Sequence, residues 1–306
     1  MHFLIAGGSG FIGQHLKQHL IRQGHRVSIL SRDQEKGDET WQTFLSNWDD
    51  FDVIVNLCGL GIADRRWSGK RKQDLTDSRL VPTQQLIHAY KTQSHQPRLL
   101  QASAIGYYDP KATLQTEADQ TAQKRPKAFA QWLVGNWERL ARQAQDDGAT
   151  VVTARFGLVM GQGGLLKKLK PAFQYGFGHV IGDGSQGFSW VHIDDLTASL
   201  LWLAQHDAPD TIYNITAPNP VSQKTFANTL GQVLGRRVRL RLPGWMIRLM
   251  FGQMGQELLI QGHWIQPARL QAQGFTFQYP TLSDALTSLV KQPELRSKND
   301  DEKNNY

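Results

Sequence analysis

Residues 1–32, MHFLIAGGSGFIGQHLKQHLIRQGHRVSILSR, decide how the chain folds. His2 to Ala6 is a short, mostly apolar run without an acidic or strongly basic residue, the pattern of a strand buried on both faces. Gly7, Gly8, Ser9 and Gly10 follow at once, then Phe11, Ile12 and Gly13. From there the apolar positions Phe11, Ile12, Leu16 and Leu20 share one helical stripe, and a second strand is predicted from Val27 to Leu30, ending in Ser31 and Arg32. Strand, glycine turn, helix and strand in this order build an anion site. Glycines let the chain turn tightly and let backbone N–H groups approach a pyrophosphate, which then sits at the positive end of the helix. The spacing Gly7-x-x-Gly10-x-x-Gly13 is not the commonest dinucleotide fingerprint, so the signal lies in its context between a strand and a helix.

The end of the second strand selects the dinucleotide. A carboxylate there would accept hydrogen bonds from a ribose 2′-hydroxyl and favour NAD. Ser31 and Arg32 instead offer a hydroxyl and a guanidinium, which donate to a 2′-phosphate, so NADP(H) is the expected cofactor. Asp33 is the one discordant neighbour.

Composition narrows the remaining classes. The 306 residues suffice for one large domain or two modest ones, and 40% hydrophobic with 20% charged content fits a globular protein. No apolar run approaches the ~20 residues of a membrane span. No basic leader precedes the apolar start, so a signal peptide is not expected. Cys58 is the sole cysteine, which excludes an intrachain disulfide and fits a reducing, cytoplasmic setting. The net charge of +7 is spread over short clusters at Arg65-Arg66, Lys70-Arg71-Lys72, Lys167-Lys168 and Arg236-Arg237 with Arg239 and Arg241. None belongs to a nucleic-acid motif, and all are read as solvated faces; neither a nucleic acid nor a membrane is expected as a partner.

Further along, strands are predicted at Asp52–Leu57, Arg98–Ser103 and Thr150–Ala154, with helices at about Gly69–Tyr90 and Ala128–Gln145 between them. Alternation of this kind argues an α/β fold, a Rossmann-type doubly wound parallel sheet. Leu57 and Cys58 end one such strand, where small residues leave room for adenosine. From residue 157 the texture changes to a glycine-punctuated stretch, read as loops and short strands lining a cleft. The expected organisation is a cofactor domain over residues 1–156, rejoined by a strand near 212–216, and a smaller C-terminal α+β substrate domain over 157–290. Residues 291–306 read as a disordered tail.

Taken together, these motifs resemble a family. Gly7-x-x-Gly10-Phe11-Ile12-Gly13 is similar to the glycine turn of the extended short-chain dehydrogenase/reductases, the superfamily of nucleotide-sugar epimerases and dehydratases. Asn56-Leu57-Cys58-Gly59, Asp77-Ser78-Arg79, Arg155-Phe156-Gly157, Ser189-Trp190-Val191-His192-Ile193-Asp194-Asp195 and Pro267-Ala268-Arg269-Leu270 resemble more closely one atypical, epimerase-like branch with a C-terminal extension. The resemblance spans nearly the whole chain. It implies bound NADP(H), with Gly7, Gly10, Phe11, Ile12 and Gly13 at the diphosphate, Ser31 and Arg32 at the 2′-phosphate, and Leu57 and Cys58 near the adenosine. It further implies Arg79 near the cofactor where relatives carry asparagine, Asp74 positioning Arg79 from the same helix, and Val159 against the nicotinamide half; separately, the ten histidines lack close metal-ligand spacing, so no metal is expected.

The catalytic signature departs from the family. Working members carry a Tyr-x-x-x-Lys pair followed four residues later by glutamate; the lysine lowers the tyrosine pKa so that it exchanges a proton while hydride moves. With Glu138 as that glutamate, the lysine position is Val134 and the tyrosine position Ala130. The family serine corresponds to Ser103. Tyr107 and Tyr108, just beyond it, are the candidates to replace the missing acid/base. The substrate stretch departs as well: Gln186-Gly187-Phe188-Ser189-Trp190 lacks the arginine that pairs with a nucleotide diphosphate. Two readings follow. The first is an NADP(H)-dependent oxidoreductase or epimerase-like enzyme acting on an alcohol or carbonyl carbon of a small molecule, nucleotide sugars included. The alternative is a catalytically silent NADP(H)-binding sensor. A homodimer is compatible with either.

Overall fold

The computed structural model describes residues 1–291 apart from 33, 34, 36, 112, 120–125, 127 and 208–210. Asp33 and the tail from 292 therefore lie outside the described residues.

The first strand, β1 (His2–Ala6), passes through the glycine turn into α1 (Phe11–Arg22) and returns as β2 (Arg26–Ser31). A two-residue strand β3 (Glu39–Thr40) and a kinked 3-10 segment, Phe44–Asp50, lead to β4 (Val53–Asn56). Next come α2 (Gly69–Thr92), β5 (Arg98–Ala104), α3 (Phe129–Ala141) and β6 (Val151–Phe156). The smaller half contains β7 (Leu158–Met160), α4 (Gly164–Gln174), β8 (His179–Ile181), β9 (Gly187–Phe188), β10 (Trp190–His192) and α5 (Ile193–Gln205). The chain then continues as β11 (Ile212–Ile215), β12 (Val221–Ser222), α6 (Gln223–Val233), β13 (Leu240–Leu242), α7 (Gly244–Gly255), α8 (Ala268–Ala272) and α9 (Leu282–Lys291).

Among the described residues, seven strands form one sheet in the order β11-β6-β5-β4-β1-β2-β3, every neighbouring pair parallel. This is the Rossmann-type α/β fold. The strand order reverses between β1 and β4, and a crevice at the carboxyl ends of the strands opens at such a switch point. Alternation along the strands sorts the two faces. Phe3, Ile5, Val53, Val55, Leu100 and Val152 meet α1 and α5 on one side. Leu4, Ile54, Leu99 and Val151 meet α2 on the other, through Leu86, Ile87 and Tyr90. A separate core of Phe173, Phe188, Trp190, Phe226 and Leu286 holds the smaller half together.

The glycine-punctuated stretch is not only loops and short strands: Gly164–Gln174 is a helix. Leu166 and Phe173 are buried on one side of it while Lys167 and Lys168 face out. Flanking glycines masked this 11-residue amphipathic segment in the sequence.

Candidate functional site

Gly7 sits at φ +80°, and a Cβ there would lie 2.8 Å from the carbonyl carbon of Leu57, so the turn packs directly on the end of β4. Gly13 is equally constrained, because its Cβ would meet the Cα of Gly8 at 2.5 Å. Gly10 heads α1 with no side-chain cap and no acidic residue in the first turn. Among the described residues no carboxylate caps the leading N–H groups of the helix, which are the donor set a diphosphate needs. Phe11 is covered by the loop after β7: a Cβ on Gly161 or Gly163 would come within 2.4 Å of its ring. In that neighbourhood Val159 pairs with Val191 and packs on the main core.

Beside the turn, Leu57 and Cys58 directly follow β4, held by the Cys58 N–H donating to Asn56 Oδ1 at 3.1 Å. Burial pushes the Cys58 thiol up to about 12, with Arg32 and Arg79 close enough to oppose that shift. Arg79 lies directly at this strand end, whereas Arg32 follows β2. Arg32 is exposed. Arg79 lies under Gly59, donates to the carbonyls of Leu75 and Leu60, both at 3.1 Å, and stacks 5.3 Å from the Trp137 ring. Burial, with Arg71 nearby, lowers its pKa to about 10. Among the described residues no carboxylate lies within ion-pair distance of Arg79. Asp74 does not position it: Asp74 pairs with Lys70 at 3.3 Å. The i, i+5 spacing turns Asp74 and Arg79 to different sides of α2, whereas Lys70 is one turn away.

The strand register explains the buried polar network at this edge. Ser103 on β5, Arg155 on β6 and Asn214 on β11 are direct register partners, so their side chains stand abreast on the α3 side of the sheet. Ser103 Oγ donates to Glu138 Oε1 at 2.5 Å. Arg155 grips both Glu138 oxygens, each at 2.8 Å, and donates to the Tyr108 hydroxyl at 2.9 Å. Tyr108 in turn donates to Asn214 Oδ1 at 2.8 Å. The Arg155 guanidinium stacks 3.4 Å from the Tyr107 ring centroid. Burial works against the Arg155 charge, but Glu138 and Tyr108 outweigh it and raise its pKa. The Tyr108 phenol is itself pushed up by burial. Tyr107 and Tyr108 are thus only 2% and 1% exposed and brace an ion pair. The structure joins Ser103, Tyr107 and Tyr108 in one network, in which the Tyr107 ring stacks on Arg155 and the Tyr108 hydroxyl hydrogen-bonds to it.

The tyrosine and lysine positions are filled from outside. Ala130 packs with Trp67, Leu133 and Met254, and Val134 with Tyr107, Tyr108 and Ile265. Helix α3 has no cap of its own. The buried Glu257, from a π-helical turn at Gln256–Ile260, accepts the N–H groups of Phe129 and Ala130 at 3.3 and 2.9 Å and the Gln253 amide at 2.7 Å. The sequence reading missed Glu257, yet it left a mark: it is the sole acidic residue between Thr211 and Ser283. Asn214 was missed because only strand pairing brings it beside Arg155.

Comparison with known proteins now bears on this arrangement. Residues 3–216 match the NAD dependent epimerase/dehydratase family, and residues 242–289 match a domain of unknown function, DUF1731. The chain belongs to the NAD-dependent epimerase/dehydratase family. It is 33% identical over 300 residues to the epimerase family protein SERP0438 of Staphylococcus epidermidis, covering 94% of this chain and 99% of that one. The human epimerase family protein SDR39U1 (isoform 2), solved with NADPH, superposes with a TM-score of 0.87 at 32% identity, covering 96% of this chain and all of the other. A nucleoside-diphosphate sugar epimerase from Corynebacterium glutamicum gives 0.76 at 26% identity over 99% of this chain and 61% of its own.

Within this family member, the segment matched by the unknown-function domain crosses the substrate stretch. The His263 N–H donates to the Gly187 carbonyl at 3.1 Å, Ser189 Oγ donates to the His263 carbonyl at 2.7 Å, and the Ile265 N–H donates to Ser189 Oγ at 2.8 Å. A Cβ on Gly187 would meet the His263 carbonyl oxygen at 2.4 Å, so glycine is required for the crossing. Phe188 stacks on Phe226 at 4.0 Å, and Trp190 is fully buried. Both therefore pack the core rather than line a ligand pocket. Burial lowers the His263 pKa to about 4, and its Nδ1 has no partner among the described residues. His192 is a helix cap: burial holds its pKa at about 4, its Nδ1 accepts the Asp194 N–H at 3.1 Å, and Nε2 is then the protonated nitrogen facing Ser288. Asp195 accepts the N–H groups of Gln278 and Tyr279 and so ties down the C-terminal segment.

Proposed function

We propose that this protein binds NADP(H) across the switch point and acts as an oxidoreductase or epimerase-like enzyme on a small molecule. The reading is carried by Arg79, a half-buried guanidinium lacking a carboxylate partner among the described residues and set under Gly59 at the strand end on which the glycine turn packs. A partly desolvated cation without a counter-ion is costly, and a phosphate group of the cofactor reduces that cost. Ser31 and Arg32 at the end of β2 favour the 2′-phosphate, and the NADPH-bound human relative supports the same choice. The sole cysteine, a free half-buried thiol, is compatible with a reducing, cytoplasmic compartment.

When bound, the nicotinamide ring supplies a hydride donor or acceptor. Of the three family catalytic positions, Ser103, Ala130 and Val134, only the serine is polar. With its own proton directed to Glu138, Ser103 accepts a hydrogen bond from a substrate hydroxyl. The Gly187–His263 crossing and the absence of an arginine from that stretch argue for a substrate other than a nucleotide-diphosphate sugar. A second reading, the cofactor-bound sensor, is favoured by the commitment of Tyr108 to Arg155 and Asn214.

Calorimetric titration of the full chain with NADPH and NADH tests the binding claim. Tighter NADPH binding, with the preference lost in Arg32→Ala, is expected; no heat with either coenzyme overturns both readings. Incubation of the NADPH complex with a carbonyl panel separates them. Absorbance loss that disappears in Ser103→Ala supports the enzyme, whereas no turnover across the panel supports the sensor.

A further inference from the structure

Between Thr211 and Gln256 the chain has no acidic residue, but it has Lys224 and five arginines: Arg236, Arg237, Arg239, Arg241 and Arg248. All five are exposed. The sequence alone scatters them over a loop, a short strand and a helix, where each reads as a solvated face. The fold sets parts of this run beside exposed apolar side chains. Strand β13 lies parallel to β8, with Leu240 opposite His179. Phe177, two residues before His179, is consequently beside the approach to β13. Arg236 Nε donates to the carbonyl of Gln174 at 2.9 Å, fastening the arginine loop to the end of α4 next to Tyr175. From β13 the chain turns through Pro243 into α7. That helix docks through Ile247 and Met254, which are 1% and 4% exposed, and turns Trp245, Leu249 and Met250 outward at 64%, 70% and 53%.

On the outer side of α7, Trp245 and Leu249 stand one turn apart beside Arg248, and exposed apolar side chains of this size next to one sign of charge mark an interaction surface. We infer that this surface, formed by the end of α4, β13 and the outer side of α7, docks the protein on an anionic phospholipid bilayer. The composition decides the occupant. Trp245 and Tyr175 suit the headgroup level of a bilayer, Leu249 and Met250 suit the acyl boundary, and arginine reaches phosphates while laying its stem on apolar surface. A second copy of the chain is a poor occupant, because a two-fold contact would set the same arginines against one another. Asp183 feels Arg241 across the β8–β13 pair, and among the described residues none of the five arginines is within ion-pair distance of a carboxylate. Docking in the interface plane requires no spanning segment, and among the described residues no helix is long and apolar enough to cross a membrane.

The test is co-sedimentation of the full chain with phosphatidylcholine vesicles, with and without phosphatidylglycerol, at low and high salt. Binding confined to the phosphatidylglycerol vesicles and weakened by salt is expected. Trp245→Ser with Leu249→Ser should weaken it at least tenfold. Arg239→Gln with Arg241→Gln should weaken it roughly twenty-five-fold, about fivefold for each charge near the surface. All four side chains are exposed, so thermal melts and NADPH binding of these variants should match the parent chain. Absence of binding, equal binding to neutral vesicles, or variants that bind like the parent overturns the inference. Tight binding to duplex DNA in place of vesicles does the same. So does a dimer in sedimentation velocity that Trp245→Ser with Leu249→Ser dissolves, since the surface would then be a self-contact.

Discussion

Replacing Arg79 by methionine separates a ligand-binding cation from a structural one. Methionine keeps an unbranched apolar stem against Trp137 while removing the charge and every donor. Without ligand, the variant loses two hydrogen bonds to backbone carbonyls, worth about 0.5–1.5 kcal/mol each. It also sheds a desolvated charge with no carboxylate partner among the described residues, which works in the opposite direction. The stability of the free protein should therefore move by no more than about 1 kcal/mol. NADPH binding should behave differently. A hydrogen bond to a charged group contributes about 1.5–3 kcal/mol, so the dissociation constant should rise roughly ten- to hundredfold. Ligand-dependent melting amplifies the contrast. At about 100 times the parent dissociation constant, NADPH stabilises the parent by about 2.7 kcal/mol, whereas a hundredfold weaker variant would retain about 0.4 kcal/mol. Paired urea denaturation and calorimetric titration measure both quantities. Unchanged NADPH affinity, or a loss above about 3 kcal/mol in the free protein, would refute the assignment.

Three other outcomes follow from the same geometry. Glu138→Gln leaves the fully buried Arg155 without its counter-ion and should cost about 3–5 kcal/mol in urea denaturation; a loss below about 1 kcal/mol would mean that the network carries no stability. Gly187→Ala forces a Cβ onto the His263 carbonyl and should destabilise by about 1–3 kcal/mol, visible as a lower melting temperature, whereas Gly148→Ala, with open space around its Cβ, should lose only the left-handed-backbone contribution. His192, at about 4 in the folded protein against 6.5 unfolded, contributes stability that is present above pH 6.5 and lost as pH falls toward 4. Between pH 6.5 and 5 its share is about 2 kcal/mol, so His192→Gln should flatten the denaturation profile in that window, and an unaltered profile would exclude this histidine as the source.

Part of this was legible in the chain as written. The strand, glycine turn and helix of residues 1–22 are local: the apolar period, the glycines and the lack of a cap specify them without distant contacts. The strand at Ile212–Ile215 and the long helix from Gly69 could be read for the same reason. Helix α4 was hidden because its flanking glycines outweighed a short amphipathic pattern. The loss of the Tyr-x-x-x-Lys pair was also visible, since it depends only on which residues stand at 130 and 134.

Everything that depends on bringing separate segments together needed the tertiary structure. Pairing of β5, β6 and β11 sets Ser103, Arg155 and Asn214 abreast, and the helix packed on that face supplies Glu138. Only that juxtaposition turns Tyr107 and Tyr108 from candidate acid/base groups into braces for an ion pair. The same holds for Glu257 on the end of α3, for the Gly187–His263 crossing, and for the arginines collected beside Trp245. Local sequence determines dihedral preference and which side of an element is apolar. The partner of a buried charge is set by register and packing between residues as distant as Tyr108 and Asn214, and no local pattern encodes that distance.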